Sequence, residues 1–581
     1  KRTNQLLVKD YAPAQLIPQS GKTIGIPRAL EYWSSLPFWK AFFTSLGYNV
    51  VVSKQSDYKL FERGLHSVPS DTICFPAKLV HGHILDLIDK KVDRIFFPMM
   101  IALPSDHSKF TATAVCPVVQ GYPNVCQNTD APEKNYGVPM DQPIFHWFNT
   151  KMRTQQTIAW FHENWDIPKK ILKKAIHEAE KALHTYKETL LLEGQKILDD
   201  VKAKNTFAVV IAGRPYHADT LINHNVASHF TAMGIPVITT ESLPGVYDQN
   251  IPPATRMEIK NSFHMRMLGA TMIAANDPSI ELVQIVSFGC GHDSILTDEM
   301  NRMLHTKSSK ELLMLKLDEG DARGPVSIRV KSFIETVKSR REAQLAPKTN
   351  SNEVLFDPPF TKEDKQKRTI LIPNLSHPFS ILASEYFNGL GFNTITLPLA
   401  NKRAIELGKK FVHNDICFPA QVNIGENLLW LEEHPEIKQE NIAIGLAKNC
   451  ENCRAGQYSV LARKDLDEAG YTDVAMITTG SDSKNMHPGF KVGLDFRLHM
   501  LWGLSVMDAI ETMYRAIRPY EIHDGDSQKV YDKWIPVLMK ELGHLPKSKI
   551  AYPKKVLALF DECVAEFNTI EADRSIRKPR V

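Results

Sequence analysis

The sequence predicts an α/β protein: several Rossmann/flavodoxin-like parallel-sheet modules with an internal duplication, joined and followed by helical segments. Three observations carry this expectation. Short β-like runs alternate with amphipathic stretches, the pattern that βα units leave around a parallel sheet. The segment 71–85 returns, in altered form, at 414–428. At 581 residues the chain exceeds one core, and its length suggests roughly three to five compact units.

Taken in order, TIGIP (23–27) reads as a strand, EYWSSLPFWKAFFTSLG (31–47) as a helix ending on Gly47, and YNVVVS (48–53) as the returning strand. The helix KLVHGHILDLIDK and the strand DRIFFP (93–98) complete a first module over 1–150. Residues 167–204 repeat their apolar positions at three- and four-residue spacing, so one long helix or a helical pair fills a connector over 151–205. FAVVIAG (207–213) opens a second module over 206–344, with NHNVASHFTAMG as its helix and IPVITT, ELVQIVSFG and ELLMLKLD as further strands. The polar, Pro-containing stretch 345–367 reads as an interdomain linker. RTILIP (368–373), NIAIGLA and DVAMITTG build a third module over 368–520, a repeat of the first, and 521–581 is again helical.

Composition narrows the function classes. With 43% hydrophobic and 23% charged residues and a net charge of +4, this is a globular chain without the basic stripe of a polyanion binder, so no nucleic-acid partner is expected. No apolar run reaches the length of about 18 residues that a membrane helix needs. The opening KRTNQLLVKDYAP lacks the apolar core of a secretory signal. These features favour the cytoplasm. The absence of an initiator Met admits a trimmed chain or a piece of a longer protein.

Eight cysteines are an ordinary count for this length, so position has to carry their meaning. DTICFPAKLVHGHIL and NDICFPAQVNIGENL align Cys74 with Cys417 and Gly82 with Gly425 at one shift of 343. A strand with Pro and a helix ending Leu-Gly-Tyr/Phe-Asn precede each copy. Each half therefore presents one Cys at the start of a helix. Proline fixes the backbone entering a helix. The free N–H groups and dipole there favour a thiolate, the form that iron or zinc binds.

In the first half Cys116 also precedes Pro, and Cys290 stands between two glycines after a strand, where backbone N–H groups can approach sulfur. Cys126 lacks such a context and reads as a spare thiol, or as a substitute ligand. In the second half Cys450 and Cys453 form a Cys-x-x-Cys, which alone is ambiguous between redox disulfide, zinc and iron–sulfur. Cys563, in an apolar helical pattern, reads as core. Structural zinc usually gathers four closely spaced ligands, whereas these lie hundreds of residues apart. Three thiolates per half suit a cubane with one iron left for a bridge or a substrate, and burial with few positive neighbours gives such a cluster a low potential. The competing reading of CFPA is a buried turn with an inert thiol.

IAGRPYHADTLINH (211–224), ELVQIVSFGCGHDSILTDEM (281–300), LLMLKLDEG (312–320), CFPAKLVHGHILDL (74–87) and NCRAGQYSVL (452–461) carry a family resemblance over most of residues 20–520. On these the chain resembles the 2-hydroxyacyl-CoA dehydratase superfamily. Within it, the likeness is to the dehydratase-like region of acyl-CoA dehydratase activase-related proteins, close to double-cubane cluster proteins. The resemblance implies an 8Fe double cubane, or one to two 4Fe–4S clusters, held by Cys74, Cys116, Cys290, Cys417, Cys450 and Cys453. It also implies an Hsp70/actin-like ATPase activator with its own 4Fe–4S cluster, as a separate chain or a missing N-terminal region, because no GxxxxGK loop is present here. Two departures bear on the ligand set: Met99–Met100 stand where a Cys is expected after the FFP strand end, and Cys450 stands where relatives often have a small residue.

Arg214, Tyr216 and His217 follow a strand where open α/β sheets bind ligands, and His292 closely follows Cys290. Arg214, His217 and His292 are candidate catalytic groups, as substrate-anion ligand or proton donors, with domain packing the competing role. His81 and His83 lie two apart on a helix, so at most one faces a cluster. The expected function is an ATP-dependent low-potential reductase component acting on a small molecule, and a homodimer is left open. One alternative is a 2-hydroxyacyl-CoA dehydratase, although no concentrated basic set for CoA phosphates is visible. The other is a non-catalytic cluster carrier or scaffold.

Overall fold

The structure, a computed structural model, describes every residue except 1, 106–113, 252, 253, 256, 258, 260, 321, 344–357, 449–452, 480–486, 580 and 581. The chain divides into two compact units, Lys1–Leu355 and Phe356–Val581. It is an α/β protein built on parallel sheets.

The first unit holds two four-stranded sheets. One runs in the order β2-β1-β3-β5, from β1 (Thr23–Ile26), β2 (Asn49–Val52), β3 (Arg94–Phe96) and β5 (Met140–Asp141). The other runs β10-β9-β7-β8, from β7 (Ala208–Ala212), β8 (Val237–Thr239), β9 (Ile280–Ser287) and β10 (Leu313–Leu317). A small parallel pair, β4 (Met99–Ala102) with β6 (Ile144–His146), flanks the first sheet. The second unit holds β11 (Thr369–Ile372), β12 (Asn393–Thr396), β13 (Ile442–Leu446) and β14 (Ala475–Thr478), in the order β12-β11-β13-β14. Counted from its own first strand, each four-stranded sheet has the order 2-1-3-4, with every pair parallel. This single topology produces three sheet edges at which loops following the strands converge, the usual ligand side of open α/β sheets.

The duplication is visible in packing as well as sequence. Thr23 pairs with Asn49 in one sheet and Thr369 with Asn393 in the other. The Phe75–Asp89 helix packs on Tyr58–Gly64, and the Phe418–Glu433 helix packs on Lys402–Phe411. Both contacts run through glycines. A Cβ on Gly82 would stand 2.1 Å from the Leu60 carbonyl oxygen, and one on Gly425 would stand 1.9 Å from that of Ala404. Each helix pair approaches this closely only because no side chain intervenes.

The predicted connector is the Thr150–Trp165 helix followed by one continuous helix, Lys169–Ala203. Its apolar stripe, from Leu172 through Tyr186 to Val201, is buried. It lies against the aromatic core of the first unit, where Trp39, Phe42, Phe43, Phe96 and Phe161 pack ring on ring. Two local expectations change. NHNVASHFTAMG is helical only over Val226–Thr231, because His224 and Asn225 adopt left-handed backbone and open a new start there. Within the expected linker, Phe360 is fully buried in the second unit's core and Asp364–Lys367 is helical. The unit's core continues through the Leu494–Ile517, Asp526–Gly543 and Lys554–Phe567 helices, with Cys563 buried among them.

Candidate metal centre

Apart from the substitute candidate Cys126, which lies within the Pro117–Thr129 helix, every candidate cysteine that the structure describes is the residue directly before a helix. Cys74 precedes Phe75–Asp89, Cys116 precedes Pro117–Thr129, and Cys290 precedes Gly291–Lys307. Cys417 precedes Phe418–Glu433, and Cys453 precedes the short 3-10 turn Arg454–Gln457. Cys450 lies outside the described residues. In all three modules a cysteine follows the third strand, and in the duplicated pair another follows the second. Parallel-strand topology thus brings sulfur to the strand ends without close sequence spacing.

In the first unit the three cysteines form one group. Burial pushes the Cys74 thiol up to about 12, and the nearby Cys116 and Cys290 add to this. Burial likewise raises Cys290 to about 11, with Asp293 and Cys116 adding to it and Arg214 opposing it. Gly289, with φ +75°, brings the Cys290 turn against the Cys74 loop, its missing Cβ only 3.6 Å from the Thr72 carbonyl. The helix termini favour thiolate, but at Cys74 and Cys290 burial and neighbouring negative charge outweigh them in the protein alone. A cation reverses that balance. Three half-buried thiol donors near one another suit a thiolate-bound cluster rather than a single ion, and none of the three uses its sulfur to cap its helix.

Arg214 organises this corner. Its Nη2 donates to Cys290 Sγ at 3.2 Å, and its guanidinium grips Asp293 with contacts of 2.8 and 2.9 Å. Both partners of that ion pair are nearly inaccessible, at 2% and 0% side-chain exposure, so the cation is fixed and its charge is locally matched. The expectation of few positive neighbours therefore changes in form: a cation touches sulfur, but it is neutralised. Lys78, one turn into the Cys74 helix, is itself buried and pairs with the half-exposed carboxylate of Glu319 at 2.5 Å.

His217 is held at both ring nitrogens. Nδ1 accepts from the Arg214 backbone N–H at 3.1 Å, which leaves Nε2 to donate to Ser287 Oγ at 3.0 Å. Burial and Arg214 hold the ring well below the usual histidine range, so it is neutral and pins the Arg214 turn. Tyr216 is buried beside Arg214. His292 is half-buried and its ring lies 5.5 Å from that of His264, which in turn is 3.3 Å from Arg214 Nη2. His264 and Asp293 went unnoticed in the sequence. Asp293 carried a signal, three residues after Cys290, whereas His264 carried none.

His81 and His83 point to different partners, and both are fully buried. His83 joins Ser53 at 2.9 Å and Ser56 at 3.2 Å, and Ser56 donates to Asp219. His81 joins Asp130 and Tyr122. Cys126 is buried beside Asp130. Met100 is buried in β4, and Met99 is half-buried in the same strand.

In the second unit, among the described residues, Cys417 is half-buried like the cysteines of the first unit and Cys453 is exposed. Cys417 Sγ and Tyr458 Oη share a hydrogen bond of 2.6 Å, and Cys453, which is exposed, adds its charge to the same phenol. Among the described residues no helix is long and apolar enough to cross a membrane.

Comparison with known proteins bears on part of the chain. No curated protein matches it. Residues 23–243 match the family model described as "CoA enzyme activase uncharacterised domain (DUF2229)". That span runs from β1 to just past β8 and includes Cys74, Cys116, Cys126 and Arg214. In this part, the chain is similar to a domain of CoA enzyme activases.

Proposed function

We propose that the chain is an iron–sulfur component of an activase-linked CoA enzyme system, with one cubane-type cluster per unit. The observation that carries this reading is the group of Cys74, Cys116 and Cys290, three half-buried cysteines on three helix starts whose charges act on one another. Cys417 and Cys453, with Cys450, are the corresponding donors in the second unit. When bound, such a cluster stores and passes single electrons at low potential.

The protein's own groups do the rest. The cysteines would hold iron, with Cys74, Cys116 and Cys290 only partly open to solvent. Arg214 donates to the Cys290 sulfur, and Asp293 fixes the guanidinium that does so. The neutral His217 holds the Arg214 turn in place. An ATP-dependent activator is the proposed electron source and a small molecule the proposed acceptor. The match to a CoA enzyme activase domain favours one second reading, a dehydratase acting on a CoA thioester.

Anaerobic iron and acid-labile sulfide content, with the EPR spectrum of the reduced protein, tests the proposal. About eight irons per chain supports a cluster in each unit, and about four supports a single cluster and the dehydratase reading. Thiol-bound zinc without iron in anaerobically isolated protein overturns it.

A further inference from the structure

A second group of ligating side chains lies deeper in the first unit, and the electron-transfer reading makes no use of it. His81, on the Phe75–Asp89 helix, meets Cys126 and Asp130, which stand one helical turn apart at the end of the Pro117–Thr129 helix. One ligand atom from each lies within 4.8 Å of the other two. All three are buried, with exposures of 0% for His81 and Cys126 and 3% for Asp130. His81 Nδ1 is 2.7 Å from Asp130 Oδ2, and Nε2 is 2.9 Å from Tyr122 Oη.

Two features point beyond a simple hydrogen-bonded network. Asp130 Oδ1 is buried with no hydrogen-bond partner, and among the described residues no Lys or Arg pairs with this carboxylate. A buried carboxylate oxygen left so is costly unless a donor or cation meets it. The donors are also one imidazole, one thiol and one carboxylate, the mixed set of borderline dications.

We propose that His81, Cys126 and Asp130 bind a single divalent transition-metal ion of the zinc class. In the metal-free protein, the proton shared by His81 Nδ1 and Asp130 Oδ2 stands in for the metal. On binding, that proton and the Cys126 thiol proton leave. Thiolate, carboxylate and neutral imidazole then sum to −2, which a dication cancels. His81 ligates through Nδ1 and keeps its Nε2 proton, which it donates to Tyr122, the outer-shell arrangement that fixes a ligating imidazole. The ion links the two helices that begin directly after Cys74 and Cys116, so it braces the cysteine corner from behind. The site stands whether or not those cysteines hold iron.

The test is made on the full chain isolated anaerobically. Its zinc content is measured by mass spectrometry and the metal's ligands by zinc-edge X-ray absorption. About one zinc per chain with one sulfur and otherwise nitrogen and oxygen neighbours is expected, retained in Cys74→Ala and reduced at least tenfold in Cys126→Ser and Asp130→Asn. Cobalt added to chelator-stripped protein should give a thiolate charge-transfer band that Cys126→Ser lacks while its circular dichroism is unchanged. Zinc surrounded by two or more sulfurs would place the ion among the helix-start cysteines of either unit and overturn the proposal. Wild-type protein that binds neither zinc nor cobalt would do the same. A metal content equal in wild type and Cys126→Ser would mark adventitious binding only.

Discussion

The two thiol groups of this chain start from the same sequence device and end in different surroundings. Cys74 and Cys417 both precede Phe-Pro-Ala, and each takes extended backbone just before a helix. In the first unit a second sheet module follows and supplies Cys290, Arg214 and Asp293, so the half-buried group carries its own buried, neutralised cation. In the second unit the single sheet is followed by helices, and the group is lined by Tyr458 and the exposed Cys453. Local sequence therefore specifies where a sulfur is presented. What lies over that sulfur is set by the module that follows.

The largest effect that can break this comparison is loss of iron. Cys74→Ala and Cys417→Ala are each expected to remove about half of the iron from anaerobically isolated protein, because each deletes one ligand of a three-thiolate group. Brief exposure to a chelator should strip iron in two phases, the faster absent from Cys417→Ala. Equal stripping rates for both halves would remove the proposed difference in shielding.

Next in size is the contrast between an ion pair and a phenol. Arg214→Gln leaves Asp293 charged and unpaired in a dry site, which is expected to destabilise the first unit by about 3–5 kcal/mol in denaturant unfolding. Tyr458→Phe removes one hydrogen bond at a half-exposed sulfur and is expected to lower stability by about 1 kcal/mol. Asp293→Asn leaves the Arg214 charge unmatched beside Cys290, so the first cluster's potential should rise in a redox titration followed by EPR.

A third comparison lies at the loops after the first strands. Glu31 follows β1 and is buried, and burial pushes its pKa up to about 7 from 4.5, with the nearby Ser35 hydroxyl opposing the rise. The fold thus favours the protonated acid. That stability is fully present below about pH 4.5 and is lost as pH rises through 7, on the order of 3 kcal/mol in all. Glu31→Gln should flatten this fall. At the matching place after β11 stands His377, bonded to Asn374 at 2.8 Å and held below its usual range by burial. Its contribution has the opposite sign, present at neutral pH and lost on acidification. Unfolding followed with probes specific to each unit checks both signs.

Much of this architecture could be read from the residues, for a physical reason. Strand hydrophobicity, helix periodicity and the Gly and Pro around CFPA act over a few residues, so the three parallel-sheet modules and the repeat were visible. The His81–Asp130 contact bridges two helices and 49 residues of sequence, and Arg214 meets Asp293 across 79. Such pairs leave no local pattern. Cys126 read as a spare thiol because its partners, unlike those of Cys74, are reached only through helix packing. Met99 stood out in the sequence because a cysteine was expected there, and the strand β4 that contains it was not foreseen.

The smallest effect tests the duplication itself. Gly82 and Gly425 each lie eight residues after their cysteine, and in both an added Cβ would meet a backbone carbonyl of the neighbouring helix, at 2.1 and 1.9 Å. Gly→Ala gains up to about 1 kcal/mol in helix propensity but forces the helices apart, an overpacking penalty of about 1–3 kcal/mol. Both variants should therefore unfold at lower denaturant concentration, by similar amounts, with the fold retained. Neither helix can relieve the clash by a rotamer change, since the opposing atom is main chain. If Gly82→Ala proves neutral while Gly425→Ala does not, the two helix pairs differ in how much they can give, and the shared glycine marks descent rather than a shared packing constraint.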